Sequence, residues 1–318
     1  MTEGEGVLRP IMVCMLVALL GGCGGETAGA PARPAPAPRI AIVVSTLNNP
    51  WFVVLANTAR AEAQRRGYAA TIFDSQNDPA KETAHFENIV ASGYRAVLFD
   101  ATDAKGSVLN ATHASRAGVP VFTMDREIDS REAAVSQVIS DNYAGAEEVG
   151  EYFVRQVGEH GRYVELLGLV GDNNTWNRSR GFHSVVDRYP GLRMVAQQSA
   201  DFDRSRALDI MESVLQAHPD IQAVFCGNDA MALGAYQALL GAGRAQDVKV
   251  FGFDGSQDAI KAIAEAKMSA TALQYPQVMA ATAAEFADRY LRGDHELPRR
   301  VAVAVDLVTF RNALSLRQ

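Results

Sequence analysis

Cysteine is scarce in this chain, which has three cysteines among its 318 residues. Two of them, Cys14 and Cys23, fall in an N-terminal segment that reads as a leader, so only Cys226 belongs to the folded body. A single cysteine excludes an intramolecular disulfide as a source of stability. Cys226 ends an apolar run at residues 223–226, and we expect it to be a buried, inert thiol.

The apolar run at the N-terminus is too short to span a membrane. Ile11 to Leu20 is apolar throughout but has only ten residues, against the roughly 20 of a transmembrane helix. The length suits the core of a signal peptide, and the following Gly-Gly-Cys resembles the lipobox of bacterial lipoproteins. We therefore predict a signal peptide over 1–22, a lipidated Cys23, and a Pro/Ala-rich tether over 23–38. An ordinary signal peptide with an incidental cysteine is the alternative.

Basic residues are outnumbered, with 30 Lys and Arg against 37 Asp and Glu and a net charge of −7. No basic run or patch stands out, which argues against nucleic acid as a partner. Sequence signatures of nucleotide binding, serine hydrolases and zinc proteases are absent, and the six histidines lack metal-ligand spacing. We expect no cofactor and no enzymatic activity. The rival hypothesis is a glycosidase that uses Asp125 and Asp254 as its carboxylate pair.

What the sequence does contain is an alternation of short apolar runs and helical segments, typical of parallel sheets covered by helices on both faces. Proline in the first helical turn and glycine after the last mark several of the helices. Strands are predicted at 40–44, 70–73, 96–99, 119–124, 163–167, 194–198, 223–225 and 248–253, and helices at 50–66, 79–92, 107–117, 142–158, 175–188, 204–217 and 229–240. The pattern restarts after residue 141, which predicts two α/β lobes with a cleft between them.

Several short stretches, taken together in order and spacing, carry a family resemblance. They are residues 43–52, 74–77, 125–126, 140–142, 200–203, 227–234 and 252–255. On these stretches the chain resembles the periplasmic sugar-binding proteins of the ribose-binding type, which are type I periplasmic binding proteins and receptors of ABC sugar importers. The resemblance covers nearly everything from Ile40 onward.

The resemblance implies two doubly wound parallel-sheet lobes joined by a three-segment hinge. The first lobe would contain residues 39–140 and 275–305, and the second would contain 141–274 and 306–318. It also implies an extracytoplasmic, lipid-anchored monomer that binds a neutral monosaccharide such as ribose, another pentose or a small polyol, and that docks on a membrane permease.

The family's ligand positions fall on residues whose chemistry suits a sugar. Carboxylates, amides and guanidinium groups can bond several hydroxyls, and aromatic rings can pack on the C–H faces of a sugar ring. The implied ligand-binding residues are Ser45, Asn49, Trp51, Phe52, Asp125, Arg126, Arg178, Phe202, Asn228, Phe253, Asp254 and Gln274. Two acids and two arginines make this set neutral, which argues against a charged ligand.

Two features depart from the family pattern. Trp51 stands where ribose-binding relatives more often carry phenylalanine, and residues 173–176 are unusually rich in bulk and amides. Both favour a reshaped pocket, which leaves another pentose, a furanose or a small alditol beside ribose. Simpler interpretations also remain: Phe253 could be a core residue, and Arg126 could pair on the surface with Glu127 or Asp129.

Two further functions share the predicted fold. A sugar-responsive repressor would need a DNA-binding module where this chain has its leader and tether. A receptor for chemotaxis or signalling cannot be separated from a transport receptor by sequence.

Overall fold

The computed structural model describes residues 36–316, so the predicted signal peptide, Cys23 and nearly all of the tether lie outside the described residues. Two six-stranded sheets organise this part of the chain. Each sheet is covered by helices on both faces, and each sheet with its helices forms one lobe. Both sheets belong to the compact unit that begins at Ala37.

The first lobe is built from the first half of the chain and one return segment. Its strands are β1 Arg39–Val44, β2 Ala69–Asp74, β3 Ala96–Phe99, β4 Val121–Met124, β5 Ser136–Ser140 and β11 Arg300–Val303. Its helices are α1 Pro50–Arg65, α2 Pro79–Ala91, α3 Ser107–Arg116 and α9 Pro276–Leu291. The strand order is β11-β5-β4-β3-β1-β2, and all neighbouring strands are parallel.

The second lobe repeats this plan with one reversed strand. Its strands are β6 His160–Leu167, β7 Gly191–Ser199, β8 Ala223–Cys226, β9 Lys249–Phe251, β10 Ala270–Leu273 and β12 Asp306–Thr309. Its helices are α4 Asn142–Val157, α5 Asn173–Val186, α6 Arg204–Ala217, α7 Asp229–Gly241, α8 Gln257–Ala264 and α10 Phe310–Leu316. The order is β12-β10-β9-β8-β6-β7, and β12 runs antiparallel to β10. This sheet is therefore mixed, and the wholly parallel sheet that we expected is found in the first lobe only.

Strand β1 shows why its sequence is apolar throughout. Ile40, Ile42 and Val44 pack with α1 and α9 on one face of the first sheet. Ala41 and Val43 pack with α2 and α3 on the opposite face. Because successive side chains of a strand point to opposite faces, a strand covered on both sides needs apolar residues at every position.

The chain passes between the lobes three times, between β5 and α4, between β10 and α9, and between β11 and β12. The predicted fold class, two doubly wound lobes with a three-segment hinge, is confirmed. Cys226 is buried in the second lobe, as expected. Over residues 36–316, no helix combines the length and apolarity that crossing a bilayer requires.

Candidate ligand-binding site

The side chains of a candidate site converge where strands of both lobes end, which is where ligands bind in open α/β sheets. They line one cavity between the lobes. The predicted residues that line it are Asn49, Trp51, Phe52, Asp125, Arg126, Arg178, Phe202, Asn228, Asp254 and Gln274. The structure thus brings together most of the set that the family resemblance implies.

Ser45 and Phe253 belong to the predicted set but do not line the cavity. Ser45 is fully buried, and its backbone N–H and hydroxyl both donate to the carboxylate of Asp100, at 2.9 Å for the N–H. Phe253 is also fully buried, and its ring lies 4.0 Å from the guanidinium carbon of Arg178. Ser45 therefore holds Asp100, and Phe253 packs against Arg178. For Phe253 the core interpretation is the one that the structure shows.

Asp172 and Asn174 line the cavity although the predicted set omits them. Asp172 caps α5, because its Oδ1 accepts a hydrogen bond from the backbone N–H of Asn174 at 2.9 Å. An aspartate one residue before a helix reads as a cap, so sequence reasoning had no separate signal for it. Asn174 lies in the amide-rich stretch 173–176, which was the available signal.

Two asparagines are oriented by the helices that they cap. Asn49 Oδ1 accepts from the N–H of Trp51 at 3.0 Å, and Asn228 Oδ1 accepts from the N–H of Met231 at 2.9 Å. Because capping occupies each amide oxygen, the amide N–H groups remain as donors for a ligand.

Arg126 is buried between the two lobes and does not form the surface pair considered above. Its guanidinium lies 5.0 Å from the ring centroid of Phe52 and 5.8 Å from that of Phe202. Nε is 2.9 Å from Asp172 Oδ2 and 3.8 Å from Asp100 Oδ1, and Nη1 donates to the Ala101 carbonyl at 3.3 Å. These contacts fix the plane of the guanidinium and direct its remaining N–H groups toward the cavity.

Arg178 is held in the same way by the second lobe. Its Nε donates to Asn142 Oδ1 at 2.7 Å, and its Nη1 donates to the Gly227 carbonyl at 2.7 Å. Nη1 also approaches Asp254 Oδ1 at 3.4 Å, an oxygen that accepts from Gln274 Nε2 at 2.8 Å. The second-lobe polar groups therefore form one connected network within their own lobe.

Aromatic rings face the cavity from both lobes. Trp51 and Phe52 open α1 and meet edge-on, with ring centroids 5.2 Å apart. Phe202 comes from the second lobe, and its ring lies where Gly168 has no side chain: a Cβ on Gly168 would come within 2.0 Å of it. Apolar rings from opposite sides can enclose the C–H faces of a small ring.

The backbone is strained at three cavity residues. Asp125, Phe202 and Asp254 have φ values of 68°, 60° and 122°, in the left-handed region that non-glycine residues rarely adopt. Each such residue costs on the order of 1–3 kcal/mol. Strain of this kind at side chains that point into one cavity is typical of functional sites.

Carboxylates outnumber guanidinium groups around the cavity once the lining residue Asp172 is added to the predicted set of two acids and two arginines. Asp172 joins Asp125 and Asp254 against Arg126 and Arg178. Burial, opposed by Arg178, raises the pKa of Asp254 to about 6. Burial together with the nearby Asp100 raises the pKa of Asp125 well above its usual range. Enclosing these carboxylates without added hydrogen-bond donors is therefore unfavourable.

Several buried polar atoms of the cavity residues have no hydrogen-bond partner within the described part of the chain. They are Trp51 Nε1, Arg126 Nε, Asp125 Oδ1, Asp172 Oδ2 and Gln274 Oε1, of which Arg126 Nε and Asp172 Oδ2 face each other at 2.9 Å as an ion pair without hydrogen-bond geometry. Donors beside acceptors match a ligand with several hydroxyl groups, since each hydroxyl can both donate and accept. Among residues 36–316 no cluster of His, Cys, Asp and Glu has the arrangement of a metal site.

Comparisons with known proteins agree with this geometry. The model of the family "Periplasmic binding protein domain" matches residues 40–295. The D-apiose import binding protein of Paraburkholderia graminis is 40% identical over 275 residues, which cover 86% of this chain and 88% of that protein. The ribose import binding protein of Escherichia coli K12 is 42% identical over 255 residues, covering 80% and 85%.

Solved structures resemble this chain over most of its length. An ABC transporter solute-binding protein from Mycobacterium smegmatis, with bound glycerol, superimposes with a TM-score of 0.84 at 34% identity, covering 89% of this chain and 98% of that one. The arabinose-binding protein of Shewanella sp. ANA-3, bound to L-arabinofuranose, gives 0.84 at 26% identity, covering 88% and 94%.

Proposed function

The chain belongs to the periplasmic binding protein family, and from that premise we propose that it is the solute-binding component of an ABC importer for a neutral sugar. One observation carries the proposal: polar groups from both lobes, oriented by caps and ion pairs, converge with aromatic rings on a single small cavity. That combination suits a polyhydroxylated ring, which needs bonds at its edge and apolar contact on its faces.

The charges of the cavity favour an uncharged ligand. A phosphate or carboxylate would enter beside three aspartates while Arg126 is already paired with Asp172 and Arg178 with Asp254. Burying a further negative charge there would be costly. A neutral sugar instead offers hydroxyl donors to Asp125 and Asp254, which lets both remain ionised.

The lining of the cavity favours one small ring. Trp51, Phe52 and Phe202 face it together with the polar side chains of both lobes, which suits a single monosaccharide or small polyol. We assign the ligand to the pentoses and small polyols. D-ribose and D-apiose are the first to test, because similar proteins are import binding proteins for them.

Binding would proceed by closure of one lobe over a sugar held by the other. We take residues 39–140 with 275–305, and 141–274 with 306–318, as the two moving units, because these ranges keep each sheet whole. The three crossings would act as the hinge. Ligand hydroxyls would offset the cost of burying the carboxylates, and so supply the differential affinity that favours the closed form.

The closed form would be recognised by the permease of the importer. We further propose an extracytoplasmic monomer anchored to the membrane by a lipid on Cys23, supported by the apolar run and the small residues that precede this cysteine. Mass spectrometry of the membrane fraction, comparing the native chain with Cys23→Ala, tests the anchor. A soluble native protein without a lipid mass would contradict it.

A ligand panel tests the main proposal. Purified protein is mixed with D-ribose, D-apiose, L-arabinose, D-allose, myo-inositol or glycerol, and its melting temperature is measured, since a ligand of the folded state raises it. We expect the largest increase from a pentose, with 1:1 stoichiometry by calorimetry and no product after prolonged incubation. A chain that binds none of these sugars, or that converts them, would refute the proposed function.

A further inference from the structure

The start of α5 touches the first lobe at four consecutive positions. Gly171 O accepts from the backbone N–H of Ala104 at 2.8 Å. Asp172 pairs with Arg126, and Asn173 Nδ2 donates to Asp129 Oδ1 at 2.7 Å. Asn174 Nδ2 lies 3.4 Å from Asp125 Oδ2. Such a continuous set of contacts across the cleft identifies residues 171–174 as more than a helix cap.

The four positions fall into two alternating pairs. Asp172 and Asn174 are buried and line the cavity, so a ligand would meet them. Gly171 and Asn173 do not line the cavity, and their contacts lie at the rim of the cleft. The inner pair, Asp172 and Asn174, can contact a ligand. The outer pair, Gly171 and Asn173, contacts the first lobe but not the cavity, and so affects only the equilibrium between open and closed lobes.

We infer that residues 171–174 form a clasp, in which the outer pair sets how readily the lobes close and the inner pair helps to select the sugar. The inference rests on the proposed function, which it deepens. Asp172 forms an ion pair with Arg126 Nε at 2.9 Å, and with Asn174 it lines the cavity on the α5 side. A ligand that fits must therefore be small. One of its hydroxyl groups must donate to the Asp125 carboxylate, whose contact with Asn174 Nδ2 is long, at 3.4 Å.

The lack of a side chain at Gly171 is part of the clasp. A Cβ built there would lie 2.0 Å from Asp103 Oδ2 and 3.1 Å from Asp103 Cγ. Asp103 cannot move away freely, because its Oδ1 accepts from the backbone N–H groups of Lys105 and Gly106 at 3.0 and 2.6 Å. Since Asp103 belongs to the first lobe, a methyl group at Gly171 would obstruct the closed form alone.

The two pairs make different predictions for sugar affinity. Asn173→Ala should weaken every ligand by the same factor, about 2- to 10-fold, because loss of a hydrogen bond shifts only the closing equilibrium. Gly171→Ala should weaken all of them by more than about 10-fold, and Asp103→Ala in the same chain should restore much of the loss. Asp172→Ser and Asn174→Ala should instead change the ranking of pentoses against hexoses.

Calorimetry of each variant with the sugar panel is the experiment, with Asn88→Ala and Gly241→Ala as matched controls. Within residues 36–316, the Asn88 side chain bonds only Ser92, and a Cβ on Gly241 meets no atom within 4 Å. Both controls should bind as the native chain does. Uniform losses for the outer pair and altered rankings for the inner pair support the clasp; native affinity for Gly171→Ala and Asn173→Ala, or a ranking changed by the outer pair, overturns it.

A second measurement keeps this test separate from the proposed function. Spin labels at Asn88→Cys and Glu212→Cys, on exposed helix positions of the two lobes, report the interlobe distance without any sugar. The clasp predicts fewer closed molecules in Gly171→Ala than in the native background. An identical distance distribution overturns the clasp, whereas a native chain that binds no sugar refutes the proposed function alone.

Discussion

The two faces of the cavity differ in how their side chains are held. On the second lobe, Arg178, Asn142, Asn174, Asp254 and Gln274 bond one another, so the face is ordered within its own lobe. The first lobe supplies the Trp51–Phe52 ring pair and Arg126, and its Asp125 side chain finds a described contact only in Asn174 across the cleft. The second-lobe face is thus preorganised as one network. On the first-lobe face, Arg126 is held within its lobe by Ala101 and Asp100, but among the residues that the structure describes the Asp125 carboxylate meets a donor only across the cleft. Substitutions should therefore damage the two faces differently.

The largest effect should come from the preorganised face. Arg178→Ala removes the hydrogen bonds to Asn142 and Gly227 and leaves Asp254 buried beside no guanidinium of its own lobe. Losing a charged hydrogen-bond donor to the ligand costs about 1.5–3 kcal/mol, so calorimetry should show a loss of sugar affinity of roughly 10- to 150-fold. Arg178→Lys keeps the charge without the planar guanidinium, so its sugar affinity should lie between those of the native chain and Arg178→Ala. An affinity within threefold of native would mean that this network does not hold the ligand.

The next largest effect is a loss of stability at alkaline pH. It concerns two buried glutamates, one in each lobe. Glu82 of the first lobe accepts from the N–H of Thr102 and from Asn110 Nδ2, both at 2.8 Å. Glu165 of the second lobe contacts His183 Nε2 at 3.0 Å, and hydrogen bonds to Glu165 and Asp187 raise the pKa of His183 to about 9. The second lobe should therefore be the more sensitive to alkaline pH.

The direction of this change in stability with pH follows from the raised pKa of His183. Its stabilising contribution is complete below the ordinary pKa of about 6.5 and is lost as the pH rises through about 9. Urea unfolding should show a decrease on the order of 2 kcal/mol between pH 6.5 and 10 in the native chain, with a flatter profile in His183→Gln. Parallel profiles for the two proteins would contradict this account of the Glu165–His183 pair.

The smallest effect should come from the ring pair of the first lobe. Trp51→Phe enlarges the cavity with little loss of apolar contact, so affinity for the best pentose should change by no more than about 1 kcal/mol. The ranking should nevertheless shift toward bulkier sugars. Trp176→Phe is the control, because Trp176 is exposed and does not line the cavity. An unchanged ranking in Trp51→Phe would remove the argument that this ring selects the ligand.

Local patterns predicted the elements up to β9 well. The helix at 204–217 and the strand at 96–99 match the structure at both ends, and Asp141 and Asp203 cap the helices that follow them. Strand β5 and the last six elements had no prediction of their own. β11 and β12 are four residues each with exposed positions, and pairing with a sheet built elsewhere in the chain stabilises them.

The candidate site shows a different limit. Family positions located the converging side chains, but no pattern could show that Ser45 faces Asp100 or that Phe253 lies beneath Arg178. Asp172 was missed because its partner, Arg126, is distant in sequence and meets it only across the closed cleft. Contacts between lobes depend on the closed geometry, which local sequence does not encode.

The most direct test of the account is calorimetry of D-ribose, D-apiose and D-ribose 5-phosphate under the same conditions. The excess of aspartate over arginine predicts 1:1 binding of a neutral pentose and no detectable binding of the phosphate. Tighter binding of the sugar phosphate than of its parent sugar would contradict a cavity built for an uncharged ring.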